Sequence, residues 1–428
     1  MKYAEHLRQL ASLGESQDGP ALSLHLSHSS KQSTKVLSSL PAHALSDPST
    51  LQSQAQQLYI PEPWATIGYQ HVCVLVAGRK GDHQVAYTSQ SQLVSTFLGK
   101  VVGAASSWCL PVLYVLLADL RYLAAVADSV NPSATSQGLP CQEDCARTVN
   151  RAFSLCATDR VNPANTSRRK GVYKIACLSM KCYFKVDRPA LCKNLVRATT
   201  SDPSIPKLET YPLADQVTWR YYLGYLAFLN GEEAAAREHL TWAFEKCHVR
   251  AKRNQELILT YLIPLRLLTG TFPSAALLAS YPTLDNLYSP FLTAIRTGSL
   301  KAYDTALAAA QHSFSDMACW MTMERVREVC VRTLFKVVWE VSGRASRIPV
   351  GAFKKAMEMQ GVELGLQGVK DDGDVSMEDV DALDETECII TAMIYKGYMK
   401  GYMSHEKRTV VLAKTAPFPP LSTRKQPR

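Results

Sequence analysis

The sequence contains none of the residue patterns on which common active sites depend. It has no glycine-rich phosphate loop, no nucleophile elbow and no set of metal ligands at a recognised spacing. Gly99-Lys100 lacks the upstream glycine and the following Ser or Thr of a phosphate loop. The acids between 371 and 387 lack the alternating Asp/Asn ligands and the bidentate Glu of an EF-hand calcium loop. We therefore expect a protein that is not an enzyme, with no catalytic residue, no metal and no cofactor.

The chain also lacks a cysteine framework. Its 12 cysteines include no CxxC pair, and the closest pairs are Cys141/Cys145 and Cys177/Cys182. Neither pair has a partner at zinc-ribbon spacing. The opening sequence, MKYAEHLRQL, contains no apolar signal-peptide core. These observations predict reduced, mostly buried thiols in a cytosolic or nuclear protein.

Long apolar runs are scarce, and one run has the length of a membrane-spanning helix. This run covers 108–127, WCLPVLYVLLADLRYLAAVA. Asp119 and Arg121 lie in its second half, and each would cost about 2.5–3.5 kcal/mol near the centre of a spanning helix. Pro111 suits the first turn of a helix. We therefore predict a deeply buried helix of a water-soluble domain, and no membrane insertion.

Helical periodicity dominates the chain from Leu110 onward, but two upstream segments give different signals. Residues 1–55 are rich in Ser, His and Gln, which predicts a weakly structured lead-in with one or two helices. The β-branched runs around a glycine-flanked turn in 71–88 locally predict a β-hairpin. We assign 56–213, which contains this segment, to an N-terminal helical domain.

The segment 221–244, YYLGYLAFLNGEEAAAREHLTWAF, predicts two helices joined at an Asn-Gly turn. Its small and apolar residues fall at the positions of a tetratricopeptide-type helical hairpin. Gly224 and Ala236 would let the paired helices approach each other closely. We therefore predict a helical-repeat stack over 214–320.

The C-terminal part of the chain follows the order of a winged helix. Apolar residues recur every three or four positions over 323–341, which predicts a long helix. A short extended piece, a helix over 351–360, a mobile acidic insertion at 362–377 and a further helix follow. Two strand-like pieces then flank a basic connection, 404–408. The predicted core residues of the last helix are Ile389, Ile390, Met393 and Ile394.

The predicted fold is therefore mainly α, a tetratricopeptide-like helical repeat stack followed by a C-terminal winged helix. Its predicted parts are the lead-in 1–55, the helical domain 56–213, the repeats 214–320, the winged helix 321–416 and a tail 417–428.

Charge is segregated near the C-terminal end. Residues 371–387 carry nine acids and no bases, whereas 391–428 carry eight Lys or Arg and one acid. Contact with phosphates needs long cations on one face. The candidate nucleic-acid-binding residues are Lys396, Lys400, His405, Lys407 and Arg408. The alternative is a solvated hairpin whose charges only maintain solubility.

A second basic cluster is better explained as solvated surface between helices: Lys246, His248, Arg250, Lys252 and Arg253.

Helical repeats that run into a C-terminal winged helix are the architecture of the PCI domain. Such domains occur in the proteasome lid, the COP9 signalosome and translation initiation factor three. Four segments carry a narrower resemblance: SWCLPV at 107–112, YYLGYLAFLNGEEAAAREHLTWAFEKCH at 221–248, ILTYLIPLRLLTG at 258–270 and IYKGYMKGYMSHEKRTVVLAKTAPFPPLS at 394–422. Over about 60–422 the sequence resembles the PCI branch of PCI domain-containing protein 2 and the subunit-12-like protein of the signalosome.

The resemblance implies a non-catalytic scaffold subunit of a nuclear, transcription-coupled mRNA-export complex. It implies a larger PCI-like scaffold subunit as partner, a small acidic disordered protein as a second partner, and RNA or DNA bound across paired winged helices. It places the protein in the nucleus at the nuclear pore, with some cytoplasmic presence. It also implies helices rather than a hairpin at 71–88. The alternative is a protein-only assembly subunit associated with the COP9 signalosome or a related PCI complex, whose wing has no need of Lys407 and Arg408.

Overall fold

The computed structural model describes residues 2–130, 140–362 and 375–424, with the backbone alone at 375–381. The described residues are mostly helical and include a three-stranded sheet. The chain forms two compact units, Met1–Tyr222 and Leu223–Arg428. This is the fold class that the sequence predicted, a mainly α-helical chain with a winged helix near its C-terminal end.

The first unit is built from helices that pack side by side. Its α-helices are α1 (Tyr3–Glu15), α2 (Gly19–Leu26), α3 (Lys31–Ser38), α4 (Ala42–Ser46), α5 (Thr50–Gln57), α6 (Trp64–Lys80), α7 (His83–Phe97), α8 (Leu110–Val130), α9 (Pro140–Ala157), α10 (Val172–Lys185) and α11 (Ala190–Ser201). Short π and 3-10 turns lie at Leu98–Val102, Ser107–Cys109, Arg168–Gly171 and Leu208–Thr210. The division between the two units falls within α12 (Leu213–Leu229).

The N-terminal segment contains more structure than its composition indicated. Residues 3–57 form five helices, where the sequence predicted a weakly structured lead-in with one or two. Tyr3 and Leu7 belong to a buried cluster with Val72 of α6. Ser30 caps α3 by accepting a 3.0 Å hydrogen bond from a backbone N–H in its first turn. Short helices gain most of their stability from such packing rather than from propensity, so a composition rich in Ser and Gln did not indicate them.

Helices α6 and α7 occupy 71–88, where the local pattern predicted a β-hairpin. Val72 and Val76 are buried because α1, α5 and α7 all pack against α6. Gly81 ends α6 in the left-handed conformation at φ 77°, and Asp82 caps α7 through a 3.1 Å hydrogen bond from a backbone N–H. Burial on several faces outweighs the strand preference of β-branched residues. The hairpin prediction is wrong, and the helices implied by the family resemblance are present.

Helix α8 carries the long apolar run and lies in the core of the first unit. It packs against α2, α7 and α9. The buried carboxylate of Asp119 accepts a 3.0 Å hydrogen bond from the backbone N–H of His28 and lies 2.9 Å from His28 Nδ1. By length and composition alone, Ser107–Val130 could cross a membrane. Its packing and its buried Asp119 agree with the core helix that the sequence predicted.

The second unit continues from the end of α12. Its helices are α13 (Glu233–Lys246), α14 (Lys252–Leu268), α15 (Ala275–Ala279), α16 (Pro282–Thr297), α17 (Leu300–Ala309), α18 (Gln311–Asp316), α19 (Trp320–Val341), α20 (Val350–Met359) and α21 (Val375–Tyr395). Its strands are β1 (Arg347–Pro349), β2 (Gly401–Ser404) and β3 (Thr409–Leu412), and a 3-10 turn follows at Leu421–Thr423.

The predicted helical hairpin at 221–244 corresponds to the end of α12 and to α13. A Cβ atom at Gly224 would lie 2.7 Å from Leu240 Cγ, and Ala236 is fully buried. The close approach of the two helices therefore depends on small residues, as the sequence predicted.

The winged helix consists of α19, β1, α20, α21, β2 and β3. The strands are antiparallel in the order β1-β3-β2, and Ile348, Val410 and Met403 pair across the sheet. The predicted acidic insertion at 362–377 lies mostly outside the described residues, and its last residues already belong to α21.

The start of the predicted tail packs against α19 rather than leaving the domain. Arg332 Nη2 donates a 2.9 Å hydrogen bond to the carbonyl oxygen of Pro419. The ring of Phe418 lies 5.8 Å from that of Trp339, measured between centroids. The winged helix therefore includes this segment as part of its packing.

Candidate nucleic-acid interface

The wing is formed by the end of α21 and the two strands that follow it. Gly397 adopts the left-handed conformation at φ 74°, which turns the chain away from α21 and towards β2. β2 and β3 pair antiparallel from Gly401↔Leu412 to Ser404↔Thr409. The basic connection predicted at 404–408 is the turn between these strands, so the predicted wing is present.

The four predicted core residues of α21 are buried to different degrees. Ile390 and Met393 are buried, whereas Ile389 and Ile394 are partly buried. Along β3, the buried Val410 alternates with residues that are partly exposed. This alternation gives the sheet one face towards the core and one outer face.

Arg408 and His405 are held by acids of α21. Arg408 Nη1 donates hydrogen bonds to Asp384 Oδ1 and, at 2.9 Å, to Glu387 Oε1. His405 Nδ1 lies 2.6 Å from Glu387 Oε2. The hydrogen bonds to Asp384 and Glu387 raise the pKa of Arg408 above its usual value. Two of the five candidate residues are therefore paired with acids of α21.

The same acids raise the question of a metal ion. Asp384, Glu387 and His405 each present one ligand atom, and these atoms lie within 4.8 Å of one another among the residues that the structure describes. However, the Arg408 guanidinium donates hydrogen bonds to both carboxylates, so a cation already pairs with the acids of this cluster. The donor set therefore fits an ion-pair cluster, and we assign no metal to it.

The three lysines of the candidate site differ from one another. Lys396 Nζ is paired with Glu328 Oε1 of α19. Lys400 and Lys407 are exposed, and within the described ranges neither side chain has a hydrogen bond or an ion pair. Lys400 and Lys407 are thus the two candidate residues whose charge is available to a ligand.

The second basic cluster lies where α13 ends and α14 begins. Its five residues are exposed. Lys252 Nζ lies 5.0 Å from the centroid of the Tyr281 ring, and His248 Nδ1 accepts a 3.1 Å hydrogen bond from the backbone N–H of Arg250. These local contacts agree with the interpretation of this cluster as solvated surface.

The outer face of the sheet brings together residues that sequence analysis did not combine into a site. Val411 pairs with Tyr402 on one side and with Arg347 on the other. Tyr402 is 63 % exposed and Arg347 is exposed. Arg347 is far from the wing in sequence and reaches it only because β1 pairs with β3. The predicted winged-helix order included a short extended piece before α20, but it did not specify the strand with which that piece pairs.

Comparison with known proteins supports the architecture described above. The PCI domain matches residues 304–414. The chain is 35 % identical to a protein named CSN12 homolog of Neurospora crassa, over 78 % of this chain and 77 % of that protein. It is 31 % identical to PCI domain-containing protein 2 of Danio rerio, over 90 % of each chain. It is 29 % identical to the PCI domain-containing protein 2 homolog of Drosophila melanogaster, over 85 % of this chain and 87 % of that protein.

These relatives match most of the chain, and the matched PCI domain covers nearly all of the winged helix and the α-helices just before it. The resemblance drawn from the sequence is therefore confirmed. The chain belongs to the PCI-domain family of scaffold proteins that includes the CSN12 homologs and PCI domain-containing protein 2.

Proposed function

We propose that this protein is a non-catalytic scaffold subunit of a nuclear, transcription-coupled mRNA-export complex and binds RNA or DNA through its winged helix. One observation carries the nucleic-acid part of this proposal. Lys400 and Lys407 are exposed on the wing and have no side-chain partner in the part of the chain that the structure describes. Lysine side chains that are exposed on the wing and pair with no acid are suited to contact phosphates.

The small number of free cations supports a binding surface that is shared with a second subunit. Each phosphate contact contributes about −0.7 to the slope of log K against log salt for single strands. Lys400 and Lys407 would give a slope of about −1.4, which corresponds to weak binding at physiological salt. Arg408, His405 and Lys396 are paired with acids and add little. The remaining contacts therefore come from a second subunit.

The proposed partner is a larger PCI-like scaffold subunit whose winged helix lies beside this one. A small acidic disordered protein is the second proposed partner, and the surplus of basic residues in this chain favours its binding. The complex acts in the nucleus at the nuclear pore, with some of the protein in the cytoplasm. These assignments rest on the family resemblance.

A charge-reversal experiment tests the nucleic-acid role. The double variant Lys400→Glu/Lys407→Glu should weaken binding of a labelled oligonucleotide and reduce the salt slope by about 1.4 for single strands. The matched control is Lys246→Glu/Arg250→Glu, which makes the same change in net charge in the second basic cluster and should leave the slope unchanged. Fluorescence anisotropy at several salt concentrations measures both variants. Equal slopes for the two double variants would contradict the proposal.

A second candidate function is a protein-only assembly subunit associated with the COP9 signalosome or a related PCI complex. The pairing of Lys396 and Arg408 with acids favours it, because paired cations stabilise a wing without any ligand. Affinity purification of the tagged chain followed by identification of its partners separates the two functions. Nuclear-pore and export proteins support the first, and signalosome subunits support the second.

A further inference from the structure

The outer face of the winged-helix sheet has the composition of a platform for unpaired bases. The register places Tyr402, Val411 and Arg347 in one row across β2, β3 and β1. The next row in the same direction contains Ser404, Thr409 and Pro349. We use the name outer sheet face for these positions together with Lys400, Ala413 and Ala345.

Lys400 belongs to this face because the ladder extends beyond the strand bounds. The backbone N–H of Ala413 donates a 2.9 Å hydrogen bond to the carbonyl oxygen of Lys400, which continues the register of β2 and β3 by one pair. On the other side, the backbone N–H of Leu412 donates to the carbonyl oxygen of Ser346 at 2.8 Å. Since strand residues two apart share a face, Lys400 and Tyr402 lie on the same side of the sheet.

The opposite face is the one that packs in the core. Ile348, Val410 and Leu412 are buried, with 1 %, 0 % and 3 % of their surface exposed. On the outer sheet face Tyr402 is instead 63 % exposed, and its cross-strand neighbours are small or aliphatic. An aromatic ring that is largely exposed beside Val411 offers a flat apolar surface to a ligand.

The charges of the outer sheet face favour one class of ligand. Its nine positions include two cations, Lys400 and Arg347, and no carboxylate. Both cations are exposed. Aromatic rings between cations bind single-stranded nucleic acid, because the ring stacks on an unpaired base and the cations contact the flanking phosphates. A duplex keeps its bases stacked internally and gains nothing from such a ring.

We propose that the outer sheet face binds single-stranded nucleic acid. In this complex Tyr402 stacks on one base, and Lys400 and Arg347 contact the flanking phosphates. This inference rests on the proposed nucleic-acid role and adds the strand class and two residues, Tyr402 and Arg347. These contacts make the wing prefer single strands to duplexes, without a preference for any base sequence.

Substitutions at Tyr402 in the full-length chain, purified together with its partners, test the inference. The probes are an oligo-uridine about 15 nucleotides long and a DNA duplex of equal length. Tyr402→Ala should reduce affinity for the single strand about tenfold and change affinity for the duplex less than about twofold. Tyr402→Phe, which keeps the aromatic face, should bind like the unmodified chain. Tyr402→Leu keeps the apolar area but has no aromatic ring, so it should bind like Tyr402→Ala. It replaces the alanine variant in this test if that variant does not fold.

Tyr395→Ala provides the matched control. Tyr395 is 74 % exposed but lies at the end of α21, outside the outer sheet face. Its removal should leave single-strand affinity unchanged. Arg347→Gln should reduce the salt slope for the single strand by about 0.7.

The possible outcomes separate this inference from the proposed function. If Lys400→Glu/Lys407→Glu weakens binding but Tyr402→Ala does not, the stacking inference is overturned and the proposed function stands. If the complex binds neither probe, both are overturned. Loss of a co-purifying protein from Tyr402→Ala, with single-strand affinity unchanged, would show that the outer sheet face binds protein and would also overturn the inference.

Discussion

Glu387 limits the number of cations that the wing can offer to a ligand. Its carboxylate is 5 % exposed and contacts both Arg408 and His405. The substitution Glu387→Gln keeps the side-chain shape but removes the charge. Gln can still accept one hydrogen bond from Arg408, and Asp384 remains as a second partner. The fold should therefore persist, with a lower melting temperature because two charge-assisted hydrogen bonds are weakened.

The same substitution, Glu387→Gln, should strengthen nucleic-acid binding. With its charge less neutralised, Arg408 can add a phosphate contact to those of Lys400 and Lys407. One further contact makes the salt slope for single strands steeper by about 0.7. At about 0.1 M salt it raises the affinity about fivefold.

Fluorescence anisotropy with a labelled single strand, together with thermal unfolding, measures both effects. Glu324→Gln is the matched control, because Glu324 is an exposed acid of α19 and its loss makes the same change in net charge. A lower melting temperature without any change in affinity or slope relative to this control would refute the reasoning. Arg408 would then be a purely structural residue.

Two further predictions concern stability. His6 and His71 are fully buried, with His71 Nδ1 3.3 Å from His6 Nε2; burial lowers the pKa of His6 to about 3 and lowers that of His71. Because the unfolded chain takes up these protons first, the free energy of unfolding should fall as the pH drops below about 6.5, by about 1.4 kcal/mol per pH unit for each histidine, and the melting temperature should fall with it. A His6→Gln/His71→Gln variant with an unchanged pH dependence would contradict this. Gly298 lies at φ 72°, and a Cβ there would lie 2.9 Å from the backbone nitrogen of Leu334, so Gly298→Ala should lower the free energy of unfolding by about 2 kcal/mol. In urea titrations the control Gly343→Ala, at φ 68° with open space around it, should lose less, and equal losses would show that the overlap with Leu334 is unimportant.

Regular periodicity made much of the fold predictable. The helix over 323–341, the strands around Tyr402 and at 409–412 and the helical hairpin at 221–244 all appear where their patterns indicated. Each of these segments has a local pattern that agrees with its packing. In contrast, the β-branched run at 71–77 has a strand pattern but lies in a helix, because α6 is buried on several sides.

The candidate site was predictable only in part. Its cations could be found from charge and position, but their partners could not. Glu387 is 21 residues from Arg408, and the contact between them depends on how the wing folds back onto α21. Arg347 joins the wing through β1, where the sequence predicted a short extended piece but not its pairing with β3. Contacts between residues far apart in the sequence therefore determine which charged side chains are free. A single sequence carries little information about such contacts.

The wing is proposed to supply half of a composite surface for nucleic acid. The most direct test compares the salt slope of single-strand binding for the chain alone and for the complex purified from cells. We predict a slope of about −2.1 for the chain alone, from Lys400, Lys407 and Arg347, and a steeper slope for the complex, with Lys400→Glu/Lys407→Glu removing about 1.4 from both. A complex whose slope does not respond to this double variant would contradict the claim.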